Sequence, residues 1–96
     1  MALTLHWTPI AANHLRSTYE YVAQDNARVA GALIERILSV AERLRDFPGM
    51  GREGRVEGTR ELVVAGTPYV VAYRVHRSQV EVLAVFPAAR KWPETF

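Results

Sequence analysis

Ninety-six residues, 49% of them hydrophobic and 23% charged, carry a net charge of +2 and no cysteine. That size and balance describe one domain over residues 1–96 with a single core, and exclude disordered, collagenous and coiled-coil chains. The missing cysteine removes disulfides, thiolate metal sites and a cysteine nucleophile. With no apolar run near the roughly 20 residues of a membrane span, and no basic, apolar leader, the expected location is the cytoplasm.

Leu3, Leu5 and Trp7 alternate with Thr4 and His6, the period of a short strand with one apolar face. Thr8-Pro9 then opens a helix, a capping hydroxyl followed by a proline suited to the first helical position. Ala11, Leu15, Tyr19, Val22 and Ala23 recur at helical spacing to about Gln24, and Asp25-Asn26 breaks the run and caps a second helix. There Val29, Leu33, Ile37, Val40, Ala41 and Leu44 share one face, broadened by Ile34 and Leu38, opposite Arg28, Glu35, Arg36, Ser39, Glu42 and Arg43. The short joint makes the two helices an antiparallel hairpin. Phe47-Pro48-Gly49-Met50-Gly51 stops it.

Three strands follow: Arg60 to Val64, Tyr69 to Val75 and Gln79 to Phe86, with turns at Ala65-Gly66-Thr67-Pro68 and His76-Arg77-Ser78. Such short turns imply an antiparallel meander. The expected fold class is α+β: an N-terminal strand, an antiparallel helical hairpin and a three-stranded meander, with the helices packed on one face of a small twisted sheet.

Chemistry-bearing motifs are few. His6, His14 and His76 fall on a strand, a helix and a turn without ligand-pair spacing, so no metal site is expected. The run Gly49 to Gly54 follows a helix and precedes none, unlike a dinucleotide fingerprint. Ser17, Ser39 and Ser78 occupy helix surfaces or a turn, not a nucleophile elbow. Glu53, Glu57, Glu61 and Glu81 read as solvated strand faces.

The cations are more telling. Eleven of twelve are Arg, and the excess lies wholly in the second half. Strand parity places Arg74 with Val70 and Ala72, opposite Tyr69, Val71, Tyr73 and Val75. If helices cover the second set, Arg74 points to the open face, with Arg60 on the neighbouring strand and Arg90-Lys91 after the last. Two readings stay open: an anion-binding surface, or gatekeeping charges on an otherwise sticky sheet.

The order of elements, with Pro48-Gly49-Met50-Gly51-Arg52, Gly58-Thr59-Arg60-Glu61-Leu62 and Tyr69-Val70-Val71-Ala72-Tyr73-Arg74-Val75, resembles the RelE/ParE superfamily of bacterial toxins over nearly the whole chain. The resemblance implies a toxin of a type II toxin–antitoxin pair, with a cognate antitoxin whose flexible tail wraps it in a hetero-oligomer. It implies one of two activities, neither needing a metal or other cofactor. ParE-like members inhibit DNA gyrase by binding; RelE-like members cut messenger RNA on the ribosome. A toxin-fold protein acting only as a regulatory partner is the third reading.

Departures favour the ParE-like side. Val70 and Val71 stand where nuclease relatives carry Arg, and Phe86 to Pro93 offers neither His nor Tyr as a proton donor; Pro87, about where many ParE-like members carry His, departs from that subfamily's pattern while removing a candidate general acid. The expected antitoxin or target contacts are Arg52, Arg55, Arg60, Arg74, Arg77, Arg90, Lys91 and Trp92, around an apolar groove beside the sheet and hairpin. A nuclease would draw on Arg60, Tyr73, Arg74 and Arg90.

Overall fold

Thr8 links the first strand to the first helix through one hydroxyl, which accepts from the Ala11 amide at 3.2 Å and donates to the Val82 carbonyl at 2.8 Å. The computed structural model describes residues 2–89. Strand β1 covers Thr4–Trp7, helix α1 Pro9–Ala23 and helix α2 Ala27–Arg43, the last capped by the Asn26 side chain on the Arg28 and Val29 amides. Beyond them lie β2 (Arg52–Glu53), β3 (Arg60–Val63), β4 (Tyr69–His76) and β5 (Gln79–Pro87).

The fold class stands as expected, and the meander is the centre of a larger sheet. Five strands run in the order β1-β5-β4-β3-β2, with β1 parallel to β5 and the other neighbours antiparallel. The two added edges have different origins. β1 returns from the other end of the chain, and β2 pairs two residues that show no strand periodicity at all. Leu83 is an extra residue between Val82, opposite Tyr73, and Ala84, opposite Ala72, a bulge that resets the parity of β5.

The sheet's two sides differ. Ala11, Ile37, Ala41 and Leu44 of the hairpin pack with Val64, Val71, Tyr73, Val80, Val82 and Val85 in the main core. Val70, Ala72, Ala84 and Phe86 form a second buried cluster on the opposite side. In α1 the expected apolar line is rotated: Thr18 is buried while Tyr19 remains 41% exposed. The sheet does not cover the hairpin's whole apolar stripe, and Tyr19, Leu38 and Val29 remain exposed.

Candidate functional site

The three motifs singled out in the sequence converge on one place, and the reason is structural. Tyr73, fully buried, donates its hydroxyl proton to the Pro48 carbonyl at 2.7 Å and accepts from the Gly51 amide at 2.9 Å. The Arg60 guanidinium then donates to the Gly51 carbonyl at 2.6 Å. A Cβ on residue 51 would stand 2.7 Å from the Tyr73 hydroxyl, so only glycine lets the chain pass this close. Burial raises the Tyr73 pKa, against the opposing hydrogen bond from Gly51 and the charge of Arg60. A phenol with both hydrogen-bond directions filled and no solvent access holds a loop in place; it is not poised to move protons.

On the open side each buried or half-buried carboxylate holds an arginine. Glu61, which the sequence reading placed on a solvated strand face, is buried, its side chain 1% exposed. It accepts from the Arg55 amide at 2.9 Å and from Arg55 Nε at 3.3 Å, with Arg52 Nη2 at 3.9 Å. The loop after β2 folds Arg55 back over the sheet, its guanidinium 5.4 Å from the Phe86 ring centroid. That return of the loop is invisible to strand parity. At the other end of this side Arg74 Nε donates to Glu81 at 2.6 Å. This bond chiefly holds the Glu81 carboxyl below its ordinary range, with the Arg74 charge and those of His6 and His76 adding to it against desolvation.

The expected site residues therefore divide. Arg52, Arg55 and Arg74 share the open side, but Arg60, in register with Tyr73, faces the helix side, so the ring of arginines around one face is incomplete. Arg77 is exposed in the β4–β5 turn. Arg90, Lys91 and Trp92 lie outside the described residues. Of the residues a nuclease would draw on, Tyr73 and Arg60 sit on one side of the sheet and Arg74 on the other. Among the described residues no group of His, Asp and Glu is arranged to hold a metal, and no helix is long and apolar enough to cross a membrane.

Of the depressions that flank the hairpin, two reach β1 or β5. One is lined by Trp7, Leu15, Tyr19, Ile34 and Leu38, with Arg16 beside them. It is apolar with an arginine at its rim, but that arginine is Arg16 of α1 and none of those expected to surround a groove. The other runs along β5 past the end of β1, where His14, Ser17, Thr18 and Tyr21 of α1 face Tyr69, Val85 and Pro87. Here His14 Nδ1 accepts from the Val85 amide at 3.2 Å, so its Nε2 carries the proton in the neutral ring. The sequence sets His14 aside as a metal ligand and gives it no other role; helical spacing from Ala11 is the one signal placing it near the sheet.

Comparison with known proteins follows the same line. The family model for the ParE toxin of the type II toxin–antitoxin system parDE matches residues 5–92. Y4kP of Sinorhizobium fredii, a protein assigned as a toxin, is 37% identical over 90 residues, covering 94% of this chain and 93% of that protein. A chain from the chromosomal ParDE toxin–antitoxin system of P. aeruginosa superposes with a TM-score of 0.81 at 26% identity, covering 90% of this chain and 96% of that one. A chain from the RelBE2 toxin–antitoxin complex of Mycobacterium tuberculosis shares the fold, with a TM-score of 0.59 at 22% identity and coverage of 91% and 99%.

Proposed function

Because the chain belongs to the ParE toxin family of type II toxin–antitoxin systems, we propose that it acts in the cytoplasm by binding and inhibiting DNA gyrase, and that a cognate antitoxin neutralises it. The observation that carries a binding action is the Tyr73 clamp: the one aromatic hydroxyl a nuclease would draw on is buried and fully bonded. Messenger cleavage needs a base, an acid and charge stabilisation around one phosphate. Arg60 and Arg74 stand on opposite sides of the sheet and serve no common phosphate.

The antitoxin tail occupies the hairpin groove in this reading. Trp7, Leu15, Tyr19, Ile34 and Leu38 supply an apolar floor for a hydrophobic anchor, and Arg16 favours acidic residues at its rim. The experiment compares gyrase supercoiling and cleaved-DNA accumulation with messenger cut sites on programmed ribosomes, using antitoxin-free protein. Gyrase inhibition alone is the expected result. Specific ribosomal cuts that Arg60→Ala abolishes overturn it in favour of the nuclease reading.

A further inference from the structure

The end of the sheet where β4 turns into β5 carries a wholly polar row on its open side. Strand register sets His6 of β1 beside Glu81 of β5, and Glu81 beside Arg74 of β4. The next rung holds Thr4, Gln79 and His76. Adjacent strands lie about 4.8 Å apart, so the six side chains form one contiguous patch.

Two features mark this patch as more than a solvated edge. The first is the way Arg74 is held. Glu81 takes its Nε, and the guanidinium, about half exposed, keeps both Nη groups without a partner among the described residues. The carboxylate thus fixes the orientation of the planar group and leaves its forked end available, the geometry that matches a phosphate.

The second is the turn itself. Arg77 has φ +56°, in the left-handed region that bulky side chains avoid and that glycine or asparagine enters readily. An arginine there costs the hairpin some strain, and strained residues of this kind cluster at functional sites. Both features put a cation at the same end of the sheet, with two imidazoles between and beside them.

We propose that this row is a phosphodiester-binding site, in which Arg74, Arg77, His6 and His76 contact the backbone of a nucleic acid. The inference is independent of gyrase inhibition. A protein partner of useful affinity needs an apolar anchor, and none of Thr4, His6, Arg74, His76, Gln79 and Glu81 offers one. A nucleic-acid backbone needs only correctly placed positive charge and hydrogen-bond donors. Glu81 opposes the ligand's charge, so affinity is moderate and independent of sequence.

The test measures anisotropy of three labelled probes of one sequence, single-stranded DNA, duplex DNA and single-stranded RNA, against the full chain over a salt series. Binding should weaken linearly with salt on logarithmic axes, and the tightest probe identifies the natural source of the backbone. Arg77→Gly should reduce the slope by about 0.7–0.9, the loss of one phosphate contact. The same variant should melt a few degrees higher because the turn relaxes. Arg74→Gln should reduce the slope similarly. Absence of salt-dependent binding to every probe overturns the proposal, as does binding whose slope neither variant changes. An Arg77→Gly protein that binds normally while melting higher also overturns it, since the strain then serves something else.

Discussion

One sheet presents two unlike sides, and strand β4 contributes to both. Toward the helices Val71 and Tyr73 enter an apolar core in which the Tyr73 hydroxyl is completely satisfied. Away from them Arg74, with Arg55 and Arg52 of the neighbouring segment, stands against Glu81 and Glu61. The helix side holds the domain together by excluding water, so its fully buried groups, Tyr73 among them, are unavailable to a partner. The open side keeps arginines half in solvent, oriented by carboxylates that contribute little net stability of their own. A strand with a period of two is what allows these tasks to coexist within a few residues.

The largest effects should come from the helix side. Ile37→Ala and Leu44→Ala remove fully buried side chains and should each cost about 2–5 kcal/mol in denaturant unfolding. Glu35→Ala and Glu42→Ala, on the outer face of the same helix, should stay within about 0.5 kcal/mol, even though Glu42 pairs with Arg45 at the surface. Equal losses in the two sets would break the distinction between the sides.

An intermediate effect belongs to the clamp. Tyr73→Phe leaves the Gly51 amide and the Pro48 carbonyl unpaired and should cost about 1–3 kcal/mol. The clamp also predicts an alkaline limb. Because burial raises the Tyr73 pKa, the folded state keeps a proton that the unfolded state releases. This contribution is complete below the unfolded tyrosine value of about 10 and is lost as pH rises through the folded one. Stability measured against pH should fall there in the parent and fall less steeply in Tyr73→Phe.

The smallest effect is on the open side. A double-mutant cycle on Arg74→Ala and Glu81→Ala should give a coupling of about 0.2–1 kcal/mol at neutral pH and low salt. The Glu81 carboxyl is held below its ordinary range, chiefly by the Arg74 hydrogen bond. Its contribution is therefore present above the unfolded glutamate value of about 4.3 and disappears as pH falls through the lower folded value. A coupling as large as the core truncations, or one that survives in acid, would mean that the open side carries the fold as well.

What could be read in the sequence follows from how local each signal is. Thr8-Pro9, Asn26, the apolar spacing of α2 and the turns at Gly66 and Arg77 are all written within a few residues of where they act, and the hairpin and meander appear as expected. Strand β1 was legible as a strand, while its parallel place beside β5 depends on residues more than 70 positions away. The two-residue β2, the bulge at Leu83 and the burial of Glu61 have no local pattern. Parity correctly put Arg74 on the open side, but it had no means of showing that Arg60 would be drawn to the Gly51 carbonyl. The groove along α1 was not legible, because the expectation followed the arginines of the second half, whereas its lining by Trp7, Leu15 and Arg16 required the fold.

The pairing of the first strand with the last also governs when this molecule becomes itself. Thr8 meets Val82 across 74 positions, and His14 meets Val85 across 71. Neither closure is available to a nascent chain until β5 has left the ribosome, and long-range closure of this kind is slow beside helix formation. The α hairpin can form early, but the groove that includes Trp7 has no fixed wall until β1 docks against β5. The groove is thus assembled only once β5 has emerged, as a single event that joins β1 to β5.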